Sequence, residues 1–70
     1  MSTRNYIWTI SRFVIDYEQD GEYTTVTKLP VGGTQETEVT NWEGQCTIED
    51  AQKYLDVRYP GHLVIDVREI

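Results

Sequence analysis

The sequence predicts a small α+β fold of one domain, residues 1–70, in which a single-layer sheet of four strands carries one helix on one face. Three observations lead there. One stretch has helical periodicity with a capping signal, a long β-branched and aromatic segment lacks glycine and proline, and an Asp-Gly pair marks where that segment turns back.

The helix is residues 47–59, TIEDAQKYLDVRY. The Thr47 hydroxyl can accept from an amide of the first turn, and Asp50 three residues on can return the bond as a capping box. Glu49 and Asp50 suit the positive end of the helix dipole. At about 100° per residue, Ile48, Ala51, Leu55 and Tyr59 share one stripe with Tyr54 at its flank, and that stripe needs a sheet to cover. Pro60-Gly61 stops the helix.

Residues 6–17, YIWTISRFVIDY, form the best strand. Their apolar phase changes along the strand: Tyr6, Trp8 and Ile10 are even, Phe13, Ile15 and Tyr17 odd. Either a bulge near Ser11-Arg12 turns the first group inward, or the two faces serve different purposes. A turn at Asp20-Gly21 sets Gln19 against Glu22, Tyr17 against Thr24, Ile15 against Val26 and Phe13 against Lys28. Residues 22–29 are the second strand, ended by a turn at Pro30-Val31-Gly32-Gly33. Residues 34–42 read as an edge strand that Glu36 and Glu38 keep wet, and residues 62–70 as a half-buried closing strand with Leu63, Ile65 and Val67 inward.

The predicted order is therefore β-β-β-α-β. A right-handed crossover would lay the last strand parallel to the first, in spatial order 3-2-1-4. The helix would cover Phe13, Ile15, Val26, Ile65 and Val67, and the other sheet face would stay open.

Composition narrows the function. A single cysteine rules out an internal disulfide, and no apolar run is long enough for a signal peptide or membrane helix, so a cytoplasmic protein without membrane contact is expected. Twelve acids against six bases give a net charge of −6, which repels phosphate backbones and attracts basic surfaces. Direct nucleic-acid binding is set aside on that ground.

Asp16, Glu18, Asp20 and Glu22 bracket the hairpin turn with no base among them. Their spacing looks like the opening of an EF-hand loop, but the final bidentate acid of such a loop would fall at Thr27 and the flanks read as strands. The plain reading is a solvated hairpin tip, and the functional one an acidic patch that steers encounter with a basic partner. Cys46 and His62, the sole residues of their kinds, flank opposite ends of the helix, about 18 Å apart, too far for a nucleophilic pair, and cannot close a zinc site. No metal or cofactor is expected. Trp8, Trp42, Tyr6 and Tyr23 are core in the plain reading and, if exposed beside acids, anchors for a protein interface.

In size, acidity and small α+β build the chain resembles the compact inhibitors that bacteriophages encode, including anti-CRISPR and anti-restriction proteins. The resemblance is one of character and rests on no motif. It implies a non-catalytic inhibitor or adaptor that docks on a larger, basic, nucleic-acid-handling protein through Asp16, Glu18, Asp20, Glu22, Glu36, Glu38, Trp8 and Tyr23. The alternative is a structural module that homodimerises through the uncovered sheet face or an edge strand.

Overall fold

A computed structural model describes residues 2–70. Its elements are strand β1 (Thr3–Asp20), strand β2 (Tyr23–Glu43), helix α1 (Ile48–Arg58) and strand β3 (His62–Glu69). They form a three-stranded sheet of order β2-β1-β3, antiparallel throughout, with β1 central.

The α+β class and the single helix agree with the sequence reading, but the strand count and order do not. The expected second and third strands are one continuous strand that runs through Pro30, Gly32 and Gly33. Proline is accommodated because of where it falls in the ladder. Asp20 and Tyr23 close a two-residue turn as a hydrogen-bonded pair, so every second row from there is hydrogen-bonded and the Phe13-Pro30 row is not. The donor that Pro30 lacks thus belongs to the outer edge of β2, where no neighbouring strand needs it. The glycines form a bulge instead of a turn: Ile10 pairs with Gln35 and Arg12 with Val31, leaving Ser11 alone opposite Gly32, Gly33 and Thr34. Gly32 takes φ +74°, a backbone that residues with a side chain rarely adopt.

Losing one strand also reverses the last one. β1 runs away from the sheet's base, β2 returns to it and α1 climbs again, so β3 must descend, antiparallel to β1 rather than parallel. The hairpin register differs as well. Tyr17 faces Val26 and Ile15 faces Lys28, a two-residue shift that keeps every side chain on its expected face.

The core is Tyr6, Trp8, Ile10, Cys46, Ala51, Leu55 and Val64, with Val39, Trp42 and Val67 packed around it. The helix therefore covers the even residues of β1, not the expected group. Ile15 is 48% exposed, Val26 56% and Ile65 41%, and of the five sheet residues expected under the helix Val67 alone joins the cluster. The cause is geometric: α1 has eleven residues, about 16 Å of helix, and β3 pairs only with Tyr6 through Arg12, so cover ends where the register shifts between Ile10 and Arg12. A second irregularity, in β3, leaves Ile65 unpaired and brings Val64 and Val67 onto the helix side, opposite Ile10 and Trp8.

Helix α1 starts as expected. The Asp50 amide donates to the Thr47 hydroxyl and the Thr47 amide to the Asp50 carboxylate, both at 3.1 Å. Of its stripe, Ala51 and Leu55 are buried, whereas Ile48 and Tyr59 are exposed. Two polar brackets hold the helix down. Gln52 accepts from the Val64 amide at 2.8 Å and donates to the His62 carbonyl at 2.9 Å. The Tyr6 hydroxyl donates to the Gly44 carbonyl and accepts from the Cys46 amide, each at 3.1 Å. Trp8, Trp42 and Tyr54 meet edge to face with ring centroids 5.4–5.7 Å apart.

Candidate functional site: an acidic hairpin arm

Beyond the bulge, β1 and β2 continue as a two-stranded ribbon, residues 13–30, with neither α1 nor β3 beside it. It accounts for the elongated outline of 50 × 25 × 18 Å. The turn at its tip is Gly21-Glu22, with Gly21 at φ +64° as a tight hairpin turn demands.

Alternation sorts the side chains of the ribbon onto two faces. One carries Phe13, Ile15 and Tyr17 with Val26, Lys28 and Pro30 across from them. The Lys28 ammonium lies 4.8 Å from the centre of the Phe13 ring, a cation–π contact that shields part of this face. The other carries Val14, Asp16, Glu18 and Asp20 facing Leu29, Thr27, Thr25 and Tyr23. Asp16, Glu18 and Asp20 thus form one row, with Glu22 in the turn beyond them, and none of the four makes an ion pair among the described residues. Tyr23 closes the row at 80% exposure.

The remaining expected site residues lie elsewhere. Glu36 and Glu38 sit on β2 below the bulge, in rows with Thr9 and Ile7, and Glu36 pairs with Arg68 across the sheet at 3.7 Å. Those rows alternate with the ones bearing Tyr6 and Trp8, so both acids belong to the face opposite the helix. Trp8 must be withdrawn as an interface residue. It is 1% exposed, packed under Trp42 and Tyr54, because it falls in the even phase that the helix covers.

Sequence reasoning missed the apolar part of the arm. Val14, Ile15, Tyr17, Val26, Leu29 and Val31 are all substantially exposed. The signal was present in the mixed phase of β1, but it pointed to a core because length alone did not show that the helix stops short. A concavity of about 390 Å³ lies between α1 and β2 and is lined chiefly by Trp8, Val39, Tyr54, Leu55 and Tyr59. Its lining is chiefly apolar, with Thr37 and His62 also bordering it.

Cys46 precedes the helix and His62 follows it. Burial pushes the Cys46 thiol above its ordinary pKa, the neighbouring Trp8 indole counters part of that, and the Asp50 carboxylate adds to the rise. A thiol held protonated in this way is a poor nucleophile. Among the described residues, no helix is long and apolar enough to cross a membrane and no group of three or more His, Cys, Asp or Glu side chains is placed to hold a metal ion.

Fold and site together define a class: a small acidic α+β protein whose compact helix-on-sheet base presents a projecting β-hairpin. The chain matches no protein-family model, no curated protein and no solved structure. Its function has to be read from its own surface.

Proposed function

We propose that this is a non-catalytic binding protein that docks its acidic arm on a basic surface of a larger protein, acting as an inhibitor or adaptor of nucleic-acid-handling machinery. The observation that carries the reading is the joint exposure, on one projecting element, of a row of unpaired carboxylates and a set of apolar side chains. Folding gains little from such an element, because a two-stranded ribbon is marginal by itself in water and its apolar groups stay wet. Binding gains from both halves. The carboxylates steer the encounter, and Ile15, Tyr17, Val26 and Tyr23 have area left to bury once contact is made.

A groove built to hold a phosphate backbone is lined with lysine and arginine, and an acidic arm can occupy it by borrowing that electrostatic field. The resemblance in size and acidity to phage-encoded inhibitors points the same way. Homodimerisation through the open sheet face is the weaker reading: that face carries Glu36, Glu38, Asp66 and Arg68, a charged surface rather than an apolar seam.

The test neutralises Asp16, Glu18, Asp20 and Glu22 to Asn or Gln, which removes four of twelve acids and takes the net charge from −6 to −2. A basic protein captured at low salt from host lysate and identified is then titrated against parent and variant. The variant should associate at least tenfold more slowly and lose most of the salt dependence, since steering is screened over about 8–10 Å at ordinary ionic strength. Unchanged association by a folded variant would show that the arm is merely solvated.

A further inference from the structure

We infer that the arm binds by strand addition: the outward edge of β1 along residues 13–20 takes an extended partner segment whose side chains alternate between basic and apolar. This rests on the reading of the arm as the docking element and specifies how it docks. β3 begins at His62 beside Arg12, and past that row β1 has β2 on one side and no strand on the other. The turn register says which groups line that edge. Asp20, Glu18, Asp16 and Val14 direct their backbone groups toward β2, so Gln19, Tyr17, Ile15 and Phe13 direct N–H and C=O outward. These form a row of unspent donors and acceptors, terminated at one end by β3 and at the other by the hairpin turn, eight residues in all.

The backbone of the other long edge is interrupted and that of this one is not. The outer edge of β2 carries Pro30, the Gly32–Thr34 bulge and Asn41 at φ 59°, all of which disrupt pairing. Residues 13–20 of β1 contain no proline, lysine, bulge or positive φ.

The side chains then select the occupant. An added strand places its own residues beside Phe13, Ile15 and Tyr17 on one face and beside Asp16, Glu18 and Asp20 on the other. Apolar residues complement the first set and lysine or arginine the second, as cross-strand pairs do. A second copy of this arm does not fit, because edge-to-edge pairing would bring two rows of carboxylates into one sheet in a chain of net charge −6. Recognition of this kind draws affinity from main-chain hydrogen bonds and specificity from alternate side chains.

Three eight-residue peptides test the inference with the intact protein. The first alternates lysine or arginine with valine or isoleucine, the second has the same composition with basic and apolar residues in separate blocks, and the third is the first with two central apolar residues replaced by proline. Fluorescence anisotropy gives the affinity and amide hydrogen exchange locates the contact. The alternating peptide should bind at least tenfold more tightly than either control and protect the amides of Phe13, Ile15, Tyr17 and Gln19. Equal binding of the block peptide would overturn strand addition, as would protection confined to β2, or a doubled chain mass with the same amides protected before any peptide is added. A failure of docking itself shows separately, as unchanged partner association by the four-site Asn/Gln variant.

Discussion

Leu55→Ala and Ile15→Ala together measure where the core lies. Leu55 is 5% exposed and, with Ala51, one of only two buried residues through which α1 is anchored to the sheet. Truncating a buried leucine to alanine costs about 2–5 kcal/mol, the larger values arising where a sealed cavity remains. Leu55 also lines the open concavity between α1 and β2, so water can enter the space and the loss should fall near the lower end, about 2–3 kcal/mol. A domain of this length holds only about 3.5–10 kcal/mol in total. The melting temperature should therefore drop by roughly 10–20 °C. Ile15, half in water on the arm, should lose less than about 1 kcal/mol when cut to alanine. Urea and thermal denaturation followed by far-ultraviolet circular dichroism give both values. A Leu55→Ala loss below about 0.5 kcal/mol, or an Ile15→Ala loss that matches it, would refute the assignment of the core to the base.

Tyr6→Phe should destabilise by about 1–3 kcal/mol although it keeps the ring, because the buried Cys46 amide and the Gly44 carbonyl both lose their partner; denaturant unfolding reads this directly. Cys46 should react slowly with iodoacetamide at neutral pH and faster as the solution is made alkaline, measured by mass on the native protein. Its raised pKa also sets a sign for stability. The unfolded thiol ionises first, so the contribution is fully present below the unfolded value of about 8.5 and is lost as pH climbs through the higher folded value. The Cys46→Ala variant should show a shallower decline above that pH in the same unfolding assay.

The parts of this protein that local chemistry controls were legible in its sequence. The capping box of Thr47 and Asp50, the stop at Pro60-Gly61, the hairpin around Gly21 and the acidic row at Asp16, Glu18 and Asp20 each depend on residues within a few positions of one another. The change of apolar phase at Ser11-Arg12 was also readable, and the pairing of β1 with β2 shifts register at the same place, through extra residues of β2. Tertiary structure alone decided which of the two phases is buried. The cover, α1 with β3, is shorter than the strand it covers, so Tyr6, Trp8 and Ile10 went inside while Ile15, Tyr17 and Val26 stayed in water. Whether Pro30 and Gly32-Gly33 end a strand or bend one was likewise invisible locally. That depends on whether a neighbour needs the missing proton, and β2, lying at the sheet's edge, has no such neighbour on its outer side. From that one continuity followed the strand count, the antiparallel β3 and an arm that projects past its own core.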